Sequence, residues 1–158
     1  MVELEVKIEA GDLYDFMLMH HCHKAGTLIA NVIGALAIVI GFAIEFWILV
    51  ILGFMMLLYL PWVLFLKSRQ QVILNPSFQE KLTYTLDETG ISVTQGENHE
   101  HQDWDAMVKA VSTTRSIIVY TSIINATIFP RKQMGDKAMY VVEMISKHMP
   151  ADKVKIRW

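Results

Sequence analysis

Two uncharged apolar runs, Ala25 to Ile44 and Phe46 to Leu66, stand back to back with only Glu45 between them. A helix needs roughly 20 apolar residues to cross a hydrocarbon core of about 30 Å. One helix through both runs would be about 60 Å long at 1.5 Å per residue, twice that thickness, so the chain must fold back. A carboxylate at the bilayer centre costs on the order of 3 kcal/mol, whereas among headgroups it costs little. Glu45 therefore marks the turn of a transmembrane helical hairpin. A buried soluble αα-hairpin would need polar positions at helical spacing, and the second run has no charged one. A cleaved signal peptide would open with a short basic region; here Glu3, Glu5, Glu9, Asp12 and Asp15 precede the first run.

Orientation follows from the basic residues. The turn has none, while Lys24 flanks the first run and Lys67 and Arg69 close the second. Cytoplasmic flanks are the lysine- and arginine-rich ones, so both termini are expected on the cytoplasmic side of a two-pass protein. Of the 14 lysines and arginines only Lys7 and Lys24 precede the hairpin, and the rest lie beyond it. The formal net charge of −2 carries no nucleic-acid signal. The single cysteine, Cys22, excludes an intrachain disulfide and suits a reducing compartment.

Residues 67–158 are enough for one small domain. Leu82, Tyr84 and Leu86 alternate with Thr83 and Thr85; Asp87-Glu88-Thr89-Gly90 breaks the run, and Ile91 and Val93 resume it. This is a hairpin signature. A second break at Gln95–Asn98 leads into polar residues through Asp103, followed by apolar Trp104, Met107, Val108 and Val111. Ser116 to Ser122 is β-branched and aromatic enough for a buried strand, and Ile124 to Phe129 reads as another, ended by Pro130. From about Gly135 the period changes. Met134, Ala138, Val141, Val142, Ile145 and Met149 recur at three- and four-residue steps, predicting an amphipathic helix stopped by Pro150 with a Glu143–Lys147 pair outside. The expected class is thus an α+β membrane protein: a helical hairpin over residues 25–66 and a small antiparallel sheet or half-barrel capped by a C-terminal helix.

Residues 1–24 add two elements. Val2, Leu4, Val6 and Ile8 alternate with charged residues, predicting a half-buried strand over about 2–9 that joins the cytosolic sheet. Gly11 and Asp12 end it, and Asp12 can cap a juxtamembrane helix carrying Leu13, Phe16, Met17 and Met19. Sheet and hairpin are then clamped at two points.

The segments "LTYTLDETGISVTQ", "WDAMVKAVSTTRSIIVYTS" and "ATIFPRKQM", set after two apolar helices and before a final helix, resemble the YcxB-like family of small bacterial membrane proteins. The elements that carry the resemblance are Gly90-Ile91, Trp104-Asp105 before Val108-Lys109, the Ile117 to Tyr120 strand, and Ile128-Phe129-Pro130-Arg131-Lys132. It spans effectively the whole chain. It implies a pleckstrin-homology-like cytosolic domain at the inner membrane, and no catalytic residues.

In the first run Gly26, Ala30 and Gly34 are spaced by four, with Ala37 and Gly41 continuing near that face, a pattern that lets helix backbones approach, against the second helix of the same hairpin or a second subunit. Asn31, the only amide in either run, can hydrogen-bond across such an interface. Pro61 should bend the second helix, with Tyr59 and Trp62 in the aromatic belt.

His20 and His23 are spaced to point two imidazoles one way, and His99 and His101 share a strand face near Glu97. No fixed spacing completes a metal site, so no metal or cofactor is expected; a pH response near the membrane surface is the smaller idea. There is no glycine-rich phosphate loop, Gly-x-Ser-x-Gly elbow or His-Glu-x-x-His motif, which points away from an enzyme. Two readings remain. In one, the domain docks a protein partner on a sheet edge or beside its helix, with self-association through the hairpin. In the other, it recognises anionic lipid headgroups. Lys67, Arg69, Arg115, Arg131 and Lys132 are the candidate contacts, and Trp104 is a recognition anchor if exposed but core if buried.

Overall fold

The computed structural model describes residues 1–22, 24–122 and 125–157, with Ser77 described by its backbone alone. His23, and Ile124 at the start of an expected strand, lie outside the described residues. Strand β1 (Val2–Val6) leads to helix α1 (Ala10–Cys22), the long apolar helices α2 (Ala25–Ala43) and α3 (Trp47–Leu74), and the short α4 (Pro76–Gln79). Strands β2 (Leu82–Leu86), β3 (Gly90–Gln95) and β4 (Asn98–Asp103) follow. A 3-10 turn at Trp104–Ala106 precedes β5 (Lys109–Ser112), β6 (Ser116–Tyr120) and β7 (Ala126–Pro130). Helices α5 (Arg131–Met134) and α6 (Ala138–His148) and the two-residue β8 (Val154–Lys155) complete the chain.

The strands form two sheets where a single curled one was expected. The first is an antiparallel meander, β1-β2-β3-β4, in which Val2 lies opposite Leu86 and Val6 opposite Leu82. The second has the order β7-β6-β5-β8 and is antiparallel except for the β5–β8 pair. Period-2 alternation sends Leu4, Val6, Tyr84 and Leu86 inward, where they meet the fully buried β6 and Phe129. The Tyr84 and Phe129 rings lie 5.0 Å apart. Val141 and Ile145 of α6, and Met149 directly after it, bury into the same core. Gly135, at a φ of 51°, separates α5 from α6, so Met134 is buried from α5 and does not belong to the α6 stripe. Lys147 reaches Glu88 at 2.9 Å in place of Glu143.

Both apolar helices are long enough to cross a membrane. Between them Glu45 sits at a φ of 55°. The Phe46 N–H donates to the Gly41 carbonyl at 2.8 Å and the Glu45 N–H to that of Phe42 at 3.4 Å, the two reversed bonds of a Schellman cap. The helices then cross on glycine. A Cβ at Gly53 would meet Ile38 Cγ1 at 2.6 Å and the Gly34 carbonyl oxygen at 2.7 Å, and one at Gly41 would meet Val50 Cγ2 at 2.7 Å. A Cβ at Gly26 would meet nothing within 4 Å. The close approach thus runs through Gly34, Gly41 and Gly53; Gly26, expected in the packing seam, is exposed beside it. Ala30 and Asn31 are half-buried in a crevice of about 300 Å³ shared with Met56, Tyr59 and Leu60. Helix α3 continues through Pro61 to Leu74, eight residues past the expected boundary at Leu66.

Candidate functional site

Helix α1 joins the hairpin to the sheets. No residue of it is fully exposed, because one side meets α3 and the other meets β6 and β7. Tyr14 packs edge-on against Phe65 of α3 at 6.0 Å, while Phe16 and His20 lie 5.9 Å and 6.3 Å from the Tyr120 ring of β6. Its start is fixed by a reciprocal pair of hydrogen bonds: the Asp12 N–H donates to the Glu9 carbonyl at 3.0 Å, and the Glu9 N–H donates to Asp12 Oδ2 at 3.2 Å. Asp12 is thus the third residue of the first turn, reaching back, and Glu9 occupies the cap position expected for Asp12.

Asp12 is only 5% exposed. Burial raises its pKa, opposed by the Glu9 N–H and by the Arg115 guanidinium, whose Nε lies 4.0 Å from Oδ1. That guanidinium lies over Gly11, where a Cβ would approach Nη2 to 2.8 Å. Arg115 is therefore occupied with the start of α1. Its carbonyl accepts the Arg131 N–H at 2.8 Å, and the Arg131 guanidinium donates to the Arg157 carbonyl at 2.5 Å. Arg115 and Arg131 are neighbours whose charged groups hold chain segments together, and Lys132 beside them is exposed. Lys67 and Arg69 are both exposed on α3. Among the described residues no hydrogen bond, ion pair or ring contact joins these two to Arg115, Arg131 or Lys132.

Trp104 leaves the set of recognition candidates. It is 6% exposed, its ring stacks on His148 of α6 at 5.3 Å, and its Nε1–H donates to the Asp87 carbonyl at 2.9 Å. An indole buried with its one donor satisfied is core. The histidines also separate. His20 stacks on Tyr120, and burial, then Lys24, His21 and Lys109, lower its pKa. His99 and His101 bond Thr94 and Ser92 on β3 at 2.9 Å and 2.8 Å. No cluster of three metal-ligating side chains occurs among the described residues.

The sheet edges differ sharply. Directly after β1, Gln133 acts as a surrogate strand: its Oε1 accepts the Lys7 N–H at 2.8 Å and its Nε2 donates to the Lys7 carbonyl at 2.7 Å. Lys137 Nζ adds a bond to the Glu3 carbonyl at 2.7 Å. Strand β7 lies against α1 and α5. Strand β8 is only two residues long. Strand β4 pairs with β3 over its whole length, and among the described residues nothing bonds its outer backbone edge. Five of its six residues are exposed. Gln133 and Lys137 escaped the sequence reading because only the fold brings them beside β1.

No family model, curated protein or solved structure matches the chain.

Proposed function

We propose that this protein is a membrane-anchored, non-enzymatic module that docks an extended segment of a protein partner on the outer edge of β4. The membrane anchor is supported by α2 and α3: only 11% and 17% of their most apolar stretches are buried. Such outward apolar surface has no soluble use without a cover. A pleckstrin-homology-like domain is supported by the resemblance to the YcxB-like family and by four strands, then three, then a helix. In this reading the hairpin is inserted between β1 and β2. The location is the bacterial inner membrane with both termini cytoplasmic.

One observation carries the docking reading: among the described residues nothing bonds the outer backbone edge of the exposed β4, whereas Gln133 and Lys137 bond the backbone along the β1 edge and β7 is mostly buried. An open edge offers backbone donors and acceptors to a peptide in β-augmentation. Headgroup recognition by the domain has less support, since Arg115 and Arg131 are committed to internal contacts. The test places a photo-crosslinker at Glu100 on β4 and, as a control, at Glu143 on α6, in native membranes. A discrete heteromeric adduct from position 100 and none from 143 is expected; recovery of the chain alone from both positions refutes partner docking.

A further inference from the structure

Beneath α1, the first stretch of α3 forms an apolar groove of about 820 Å³, walled by Tyr14, Phe54, Leu58, Pro61, Trp62 and Phe65. Its α3 side is a stripe at helical spacing, Ile51, Met55, Leu58, Trp62 and Phe65. Four residues beyond Phe65 on the same face stands Arg69, with its guanidinium carbon 5.4 Å from the Phe65 ring centroid. Among the described residues no acid pairs with Arg69. An apolar slot thus ends at one exposed, uncompensated cation, at the end of α3 that leads into the sheets.

We propose that this groove holds an acyl chain of an anionic phospholipid whose headgroup phosphate is received by Arg69. Charge decides the occupant. A net-negative headgroup neutralises Arg69, whereas a zwitterionic one brings its own ammonium, and an apolar helix of a partner or a second copy leaves the guanidinium unmatched. Planar guanidinium geometry suits phosphate oxygens, and the cation–π contact holds it over Phe65, a wall of the groove. Lys67 is two residues from Phe65 and so on another face, where it lines a separate crevice with Gln70, Gln71 and Leu74. It is the natural control for charge alone.

The inference rests on membrane insertion of the hairpin, and is independent of β4. Resistance of the full chain to alkaline carbonate extraction checks insertion first; release would refute insertion and the lipid site with it, whereas failure of the lipid titration alone would overturn the lipid site and leave insertion standing. Full-length protein in detergent is then titrated with phosphatidylglycerol or phosphatidylcholine of the same acyl chains, and bound lipid is counted by native mass spectrometry. Retention of one phosphatidylglycerol at least fivefold over phosphatidylcholine is expected. Arg69→Gln should bring the ratio to about one, Lys67→Gln should leave it intact, and Leu58→Trp, which fills the groove, should lower retention of both lipids. Equal retention by the unaltered chain, an equal loss in Arg69→Gln and Lys67→Gln, or a dimer whose crosslinks run through Leu58 would each overturn the proposal.

Discussion

At the scale of single residues, the turn between β2 and β3 shows how few atoms fix the first sheet. Asp87 accepts the Thr89 hydroxyl at 2.5 Å, the Thr89 N–H at 2.8 Å and the Gly90 N–H at 3.0 Å. These bonds, the hydroxyl first, hold its carboxyl down to about 2. The folded pKa lies below the ordinary value near 3.9, so the stabilisation is complete above that value and is lost as pH falls toward 2. Asp87→Ala should cost about 1 kcal/mol at pH 7, the worth of a well-made cap at a solvent-screened site. Denaturant titrations at several pH values should show the two proteins converging on acidification; a constant gap down to pH 2 would assign the effect to something other than the carboxylate. Gly90 is set by a different constraint. A Cβ there would run into the Gln102 carbonyl of β4, and backbone cannot step aside as a flexible side chain can. Gly90→Ala should therefore destabilise by about 3 kcal/mol, read as a fall in Tm, whereas Gly96, at a φ of 56° in open space, should lose only about 1 kcal/mol on the same change. The Asp-Glu-Thr-Gly turn was legible because its residue types have local reasons to turn. The close approach of Gln102 was not, since it comes from a strand that lacks the usual alternation.

Elements are governed by what packs across them. Glu45 adopts the left-handed conformation that glycine takes at no steric cost, so Glu45→Gly should stabilise the hairpin by about 1 kcal/mol in mixed-micelle unfolding. Its position was readable from polarity alone. The packing seam was readable only by half: Gly34 and its four-residue spacing were visible, but which neighbours of that stripe face α3 depends on the crossing, and Gly26 falls outside it. The missing partner, Gly53, carries a signal in hindsight as the only glycine of the second apolar run. Gly53→Val should pry the helices apart at a cost of about 2 kcal/mol, and Gly26→Val should be neutral within about 0.5 kcal/mol. At the start of α1, Arg115→Ala leaves the buried Asp12 carboxylate without its cation. Its folded pKa is already above the ordinary value and should rise further, so the loss, about 1 kcal/mol at pH 7, should shrink as pH drops through the folded pKa and Asp12 takes up its proton. A loss that does not change with pH would mean that the guanidinium acts on α1 by packing over Gly11 alone.

Across the whole molecule the order of elements has a mechanical consequence: β1 and α1 precede the hairpin, and β2 begins soon after it, so both ends of the hairpin are tied into one sheet through β1–β2 pairing. Helix α3, at 28 residues and about 42 Å, exceeds a hydrocarbon core by roughly two-fifths. Its last two turns bring Val72 against the core, and Ser68, fully buried, returns its hydroxyl to the Phe65 carbonyl at 2.9 Å. A tilt of α3 would be transmitted through Tyr14 and Phe65 to α1, and from Phe16 to Tyr120 on β6. If the hairpin is inserted as proposed, this tying-together requires residues 1–22 and the sheets to share one side of the membrane, with Glu45 on the other. Because Cys22 is the only cysteine, Cys22→Ser gives a clean background in which single cysteines report on side. With a maleimide that cannot cross the bilayer, Glu45→Cys should label in intact cells, while Glu3→Cys and Glu100→Cys should label only after permeabilisation. Labelling of Glu3→Cys from outside with Glu100→Cys protected would separate β1 from β2 by a membrane, which the five-residue register between them forbids; labelling of Glu100→Cys from outside would invert the topology and move the β4 edge away from any cytoplasmic partner.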